Sequence, residues 1–149
     1  MSTDLYVEGG SPATAETDAV VVGLLPAGGG DDSTPRLAPG AEDVGAAFRD
    51  ADLPALLAIA GASGKADEVV KLPTRGAITA PLLVAVGLGD PEANGAPGAE
   101  AVRRASGSAA RALAGTGRAV STLGRINLAA AAEGTLLGAY TFTDYRSNG

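Results

Sequence analysis

The chain has 149 residues, of which 46% are hydrophobic and 19% charged, a balance typical of one globular domain. It contains no Cys and no His, which excludes disulfides, thiolate catalysis, Cys-ligated zinc and any use of imidazole as a metal ligand or general base. The net charge is −6, with 15 acids against 5 bases in residues 1–100 and 2 acids against 6 bases in residues 101–149. We interpret the basic end as the solvated side of one helix; a face that meets a partner is the alternative.

The N-terminus carries no recognisable targeting signal. Residues 1–4 are polar and acidic and lack the basic and apolar regions of a signal peptide. The apolar runs, such as residues 81–86, are far shorter than the roughly 20 residues needed to cross a bilayer. These features predict a cytoplasmic protein with no membrane partner.

Several apolar runs have the length of strands. Residues 19–25 are a near-continuous β-branched and aliphatic run, which predicts a strand buried on both faces, and residues 82–86 are similar. Shorter strands are predicted at 68–72 and 118–123, and residues 5–7 form a further apolar segment. A Gly-, Asp- and Pro-rich surface loop is expected over 26–35.

Helices are predicted between these strands, over residues 42–50, in a short stretch after Asp52, over residues 99–114, and from Asn127 towards Tyr140. The first would be anchored by Phe48. The second would bury the apolar side chains Leu56, Leu57 and Ile59. The third places Val102, Ala105, Ala109, Ala112 and Leu113 on one face, with Arg104 and Arg111 opposite. Strands alternating with helices predict an α/β domain with a largely buried sheet.

Four segments, in the same order and over most of the chain, resemble the N-terminal domain of leucyl (cytosol) aminopeptidases. Residues 63–68, Ser-Gly-Lys-Ala-Asp-Glu, are similar to that family's Phe-x-Gly-Lys-x-Gly-Glu turn, although the aromatic is missing and Asp67 stands where a second Gly is common. The strand end at 83–89 and the Ala-rich helix at 101–113 follow. The most specific match is Glu133-Gly134 with Leu137-Gly138-Ala139-Tyr140-x-Phe142 and Tyr145-Arg146-Ser147.

The resemblance implies a three-layer α/β/α fold with a mixed central sheet, of macro-domain type. It implies that residues 1–149 are a single non-catalytic N-terminal domain and that the catalytic domain lies outside this chain. The parent would remove N-terminal residues from peptides with two divalent metal ions, zinc or manganese, usually as a hexamer. No catalytic, cofactor-binding or metal-ligating residue is expected in this chain, because the family's Asn-Thr-Asp-Ala-Glu-Gly-Arg signature is absent from it.

The resemblance also points to a candidate joint with the parent's own catalytic domain. Its members would be Glu133, Tyr140, Phe142, Tyr145 and Arg146, since aromatic residues dominate small interfaces. Packing of the last helix onto the sheet is an alternative role for the aromatic residues, and the two roles are compatible.

Gly64 and Lys65 are interpreted as a turn with a solvated lysine; a tether between the two domains is the alternative.

Two other functions stay open. Gly87 and Gly89, or the glycines at 28–30, would cradle a phosphate if the chain were a stand-alone macro-type module for nucleotides or ADP-ribose, although no dinucleotide or P-loop fingerprint is present. A DNA-binding accessory domain would use the basic residues Arg103, Arg104, Arg111, Arg118 and Arg125. An isoelectric point near 4.5 and the lack of aromatic stacking residues beside them disfavour nucleic acid.

Overall fold

The computed structural model describes residues 4–5, 7, 9–28, 33–49 and 51–148, with side chains as far as Gly138. Its strands are β1 Ala19–Leu25, β2 Arg36–Leu37, β3 Val69–Pro73, β4 Leu82–Gly87 and β5 Ala119–Ser121. Its helices are α1 Glu42–Ala47, α2 Leu53–Ile59, α3 Ala99–Ala112 and α4 Leu128–Asn148, with a 3-10 turn at Leu123–Arg125.

The strands that the structure describes form one mixed sheet around β1. One edge of β1 pairs in parallel with β4, and every residue of β4 takes part in the pairing. The other edge pairs in parallel with β5 over its first half and antiparallel with β2 at its end. β3 lies antiparallel to β4 at the far edge. The parallel strands β1, β4 and β5 therefore end at the same edge of the sheet.

Alternate residues of β1 and β4 pack into two separate cores. Val20, Val22 and Leu24 contact the layer formed by α1 and α2. Val21 and Leu25 contact the layer formed by α3, α4 and the 3-10 turn. Every residue of β1 is buried, because helices cover both faces of the sheet. This arrangement confirms the predicted three-layer α/β/α domain with a mixed sheet.

The strand predictions are confirmed to within one residue for β1, β3 and β4, and β5 lies inside the predicted segment. The apolar segment 5–7 is not a strand in its described part, where Leu5 and Val7 are exposed; Tyr6 lies outside the described residues. β2 was not predicted. It is two residues long and forms only because β1 offers it an edge at Leu24 and Leu25.

The helix predictions needed three corrections. α1 ends at Ala47 because the backbone of Phe48 leaves the helical region with ψ at 70°, although its side chain is buried in the core as expected. Ile59 is 84% exposed, so its predicted burial is wrong; Leu53 and Leu57 are the buried side chains of α2. α4 continues past Tyr140 to Asn148.

The N-cap of α4 is as predicted. The Oδ1 atom of Asn127 accepts a hydrogen bond from the backbone N–H of Ala130 at 3.0 Å, which satisfies one of the unpaired donors of the first turn.

Three glycines let α3 and α4 touch through their backbones. A Cβ on Gly134 would stand 2.0 Å from the carbonyl oxygen of Arg103, and a Cβ on Gly138 would stand 2.6 Å from that of Gly107. Both contacts advance four residues together, so the two helices run in the same direction. At that offset the last residue of α3 lies level with residue 143. α4 therefore continues about 7 Å beyond α3, at about 1.5 Å per residue.

Candidate functional site

The segment 63–68, which carries the first family-like motif, is a tight turn at the sheet edge where β1 and β4 end. The carboxylate of Glu68 holds it closed: it accepts hydrogen bonds from the backbone N–H groups of Ser63 and Gly64, both at 2.8 Å, and from the Ser63 hydroxyl at 3.1 Å. In open α/β sheets, ligands commonly bind in the crevice beyond the carboxyl ends of parallel strands. Here the turn 63–68 fills the space beyond the ends of β1 and β4.

Gly64 and Gly87 are glycines because the turn lies against both strand ends. Gly64 has φ at +87°, and a Cβ there would stand 2.5 Å from the carbonyl carbon of Leu25 at the end of β1. A Cβ on Gly87, at the end of β4, would stand 1.7 Å from the carbonyl oxygen of Lys65. No side chain fits at either position, whereas the Lys65 side chain is exposed as predicted.

The backbone donors of the Gly87-Leu88-Gly89 segment are all engaged. The N–H of Gly87 donates to the carbonyl of Glu68 at 2.8 Å, that of Leu88 to Leu24 at 2.8 Å, and that of Gly89 to Gly64 at 3.0 Å. A phosphate cradle needs several such donors facing the ligand. The segment therefore serves to join the turn to the sheet, which weighs against the alternative function of nucleotide binding. Of the other candidate loop, Gly29 and Gly30 lie outside the described residues.

The backbone conformation of Asp67 is one that glycine adopts easily. Its φ is +69°, in the left-handed region that glycine adopts freely and that Asp tolerates better than most residues. Its carboxylate accepts a hydrogen bond from Arg104 of α3. The departure from the family pattern thus adds an ion pair between the turn and α3.

Glu133 is the member of the predicted joint whose side chain is described, and it pairs with α3. Its Oε2 accepts from Nε of Arg103 at 2.9 Å, while Nη1 of Arg103 donates to Glu100 at 2.5 Å. Hydrogen bonds to Glu133, which has the larger effect, and to Glu100 raise the pKa of the Arg103 guanidinium. The side chains of Tyr140, Phe142, Tyr145 and Arg146 lie outside the described ones; their positions belong to α4.

Most of the arginines considered for DNA binding already donate hydrogen bonds within the domain. Beyond the pairs formed by Arg103 and Arg104, Arg125 donates to the backbone carbonyls of Gly40 at 2.9 Å and Gly10 at 3.2 Å. It thereby ties the loop before α1 to the N-terminal segment.

A trough of about 690 Å³ crosses the outer face of α3 and α4. Its lining includes Arg103, Arg104, Gly107, Arg111, Gly134 and Leu137. The buried glycines form its floor, and the arginines and Leu137 form its rim. Sequence reasoning placed Arg104 and Arg111 on one helix face but missed the trough, because its floor depends on the glycines of α4.

Among the residues that the structure describes, no three His, Cys, Asp or Glu side chains are grouped as metal ligands would be. Within the same residues, no helix is long and apolar enough to span a membrane.

Residues 21–149 match the family model described as the cytosol aminopeptidase family, N-terminal domain. The chain belongs to this family. It is 47% identical over 148 residues to a probable cytosol aminopeptidase of Streptomyces griseus, covering 97% of this chain and 28% of that relative. A probable cytosol aminopeptidase of Streptomyces coelicolor is 47% identical over 135 residues, covering 88% of this chain and 25% of the relative.

The chain thus spans between a quarter and a third of the length of these curated cytosol aminopeptidases. Among solved structures, the bottromycin maturation enzyme BotP matches with a TM-score of 0.54 and 21% identity, covering 88% of this chain and 25% of that one. At that identity the likeness shows the fold alone. The recognition made from the turn, the strand end and the Glu133–Ser147 segment is confirmed.

Proposed function

We propose that this chain is the non-catalytic N-terminal domain of a cytoplasmic, metal-dependent aminopeptidase, and that it serves to pack against the catalytic domain and to shape the assembly. The observation that carries the proposal is the match of residues 21–149 to the family's N-terminal domain, together with the small share of each relative that the chain spans. The parent would use two divalent metal ions, zinc or manganese, bound by residues of its other domain, and would assemble as a hexamer.

The course of α4 supports a joint at its end. The helix continues about 7 Å beyond the last residue of α3. Tyr145 and Arg146 belong to this extension. A helix that continues past the helix it packs on is suited to lead the chain into a second domain.

The engaged backbone donors at Gly87–Gly89 weigh against a stand-alone nucleotide module. The pairing of Arg103 and Arg104 with carboxylates weighs against DNA binding, since each pair removes a cation from phosphate recognition.

A domain exchange tests the proposal. The 149-residue chain replaces the matching segment of the Streptomyces griseus relative, and the hybrid is assayed for hydrolysis of leucine p-nitroanilide with manganese or zinc and for native mass. The hybrid should be active and should have the mass of the relative's assembly, whereas the 149-residue chain alone should hydrolyse nothing. Metal-dependent turnover by the purified chain alone, or an inactive hybrid that is folded, would contradict the proposal.

A further inference from the structure

The trough brings three arginines together on a chain whose net charge is −6. Two of them are paired with carboxylates: Arg103 donates to Glu100 and Glu133, and Arg104 donates to Asp67. For Arg111, no carboxylate among the described side chains lies within salt-bridge distance. Arg111 is therefore the cation of the trough whose charge is not balanced by a described neighbour.

Arg111 is held in place over the floor of the trough. Its Nη2 donates to the Oγ of Ser108 at 3.2 Å, and its Nη1 lies 3.4 Å from the point where a Cβ of Gly107 would stand. A guanidinium has five N–H donors in a planar fork, and a fork fixed by a neighbour loses less entropy when it binds a carboxylate in bidentate fashion. The geometry suits recognition of an acidic side chain.

The α4 residues that line the trough, Gly134, Leu137 and Gly138, are apolar, and Leu137 is 61% exposed. An exposed leucine beside arginine, over a floor of small residues, is typical of a protein interface rather than of a site for a small charged metabolite.

We propose that the trough is the docking surface for an acidic segment of the polypeptide that follows α4 in the full-length protein, with a carboxylate on Arg111 and an apolar side chain on Leu137. This inference rests on the proposed function. Charge complementarity favours such a partner. Covalent linkage favours a segment of the same polypeptide as the partner. The chain covers only 28% and 25% of two relatives, so most of their length lies outside the matched region, and α4 itself forms one wall of the trough. A later segment would then act at high effective concentration.

The absence of Cys from the chain allows a direct test by thiol labelling. Leu137→Cys places a probe in the trough. Ile59→Cys is the matched control, because Ile59 is 84% exposed on α2, across the sheet from α3. Labelling of Leu137→Cys by a maleimide should be about tenfold slower in the hybrid with the Streptomyces griseus relative than in the 149-residue chain, since the core of an interface excludes solvent. Labelling of Ile59→Cys should be unchanged.

Charge reversal identifies the contact. Arg111→Glu added to Leu137→Cys should return labelling in the hybrid to within about twofold of the rate for the 149-residue chain, because like charges across an interface are repulsive. Arg49→Glu makes the same charge change at an exposed residue after α1 and should leave the protection intact. The measurement is repeated with the relative's remaining segment added as a separate polypeptide, so that a poorly folded fusion does not decide the result.

The outcomes separate the two proposals. An active hybrid in which Leu137→Cys is labelled as fast as in the 149-residue chain overturns the trough proposal and leaves the domain's proposed function standing. Protection that survives Arg111→Glu also overturns it, because the segment would then be held without the carboxylate contact. A folded but inactive hybrid counts against the proposed function itself, whatever the labelling shows.

Discussion

Replacing Gly87 with Ala should remove a large part of the domain's stability. The new Cβ would stand 1.7 Å from the carbonyl oxygen of Lys65 and 2.7 Å from its carbonyl carbon, whereas Cβ contacts shorter than 3.0 Å are essentially absent from real structures. The obstacle is backbone, so no side-chain rotation relieves it. The turn 63–68 must move away from β4 by more than 1 Å.

That movement breaks identifiable bonds. The N–H of Gly87 donates to Glu68 at 2.8 Å and the N–H of Gly89 donates to Gly64 at 3.0 Å, and neither bond survives such a shift. Each bond contributes about 0.5–1.5 kcal/mol, and a buried N–H left without a partner costs about 1–3 kcal/mol more. We therefore expect Gly87→Ala to lower the free energy of unfolding by about 3–4 kcal/mol, against about 5–15 kcal/mol for a typical domain.

Urea unfolding followed by far-ultraviolet circular dichroism measures the loss. With an m-value of about 2 kcal/mol per molar urea, the midpoint should fall by about 1.5–2 M. Gly28→Ala is the matched control, because the nearest atom to its Cβ would be Nε of Arg36 at 3.7 Å, an ordinary contact. It should stay within about 0.5 kcal/mol of the parent. A loss below about 1 kcal/mol for Gly87→Ala would refute the claim that the turn is fixed against β4.

Three further substitutions test other features. Asp67→Gly should unfold at or slightly above the parent's temperature, because relief of a left-handed backbone, about 1 kcal/mol, offsets an exposed ion pair worth about 0–1 kcal/mol; a clear loss of stability would show that the pair dominates. Ser106→Ala should stabilise the domain by up to about 1 kcal/mol in urea, because the hydroxyl is buried at 2% exposure without a hydrogen-bond partner among the described residues, and destabilisation would reveal a partner. Glu42 accepts from the N–H of Gly40 at 2.9 and 3.1 Å, and hydrogen bonds from its own N–H first and from Gly40 second lower its pKa below 4.5. A pKa lowered by folding gives stability that is present above pH 4.5 and is lost as the pH falls through the folded value, so Glu42→Gln should flatten the acid-unfolding curve below pH 4.5; an unchanged curve would contradict this.

The central strands were predictable because their burial depends on composition alone. A strand covered by helices on both faces needs an unbroken aliphatic run, and residues 19–25 and 82–86 supply one each. Ile59 shows the limit of that reasoning. It lies two positions after Leu57, so the helical period of about 3.6 residues per turn places it on the opposite side of α2, and hydrophobicity alone was misleading.

The candidate site was predictable only in part, because its geometry depends on contacts distant in sequence. The motifs at 63–68 and 87–89 were identified separately, but their direct contact follows from the parallel pairing of β1 and β4. The length of α4 was underestimated at its aromatic cluster, although no Gly or Pro interrupts the chain between Gly138 and Gly149. The exposed trough could not be found from α3 alone.

The parallel contact of α3 and α4 through Gly107, Gly134 and Gly138 also sets an angle. Two helices that pack backbone to backbone have little freedom to rotate or slide against each other. The direction of α4 is therefore fixed at these glycines, where a hydrogen atom takes the place of a side chain. A methyl group at Gly134 would push the axes of α3 and α4 apart at their contact and displace the C-terminal end of α4 by a larger distance. In the proposed full-length enzyme, the orientation of the second domain would therefore depend on these three glycines of the N-terminal domain.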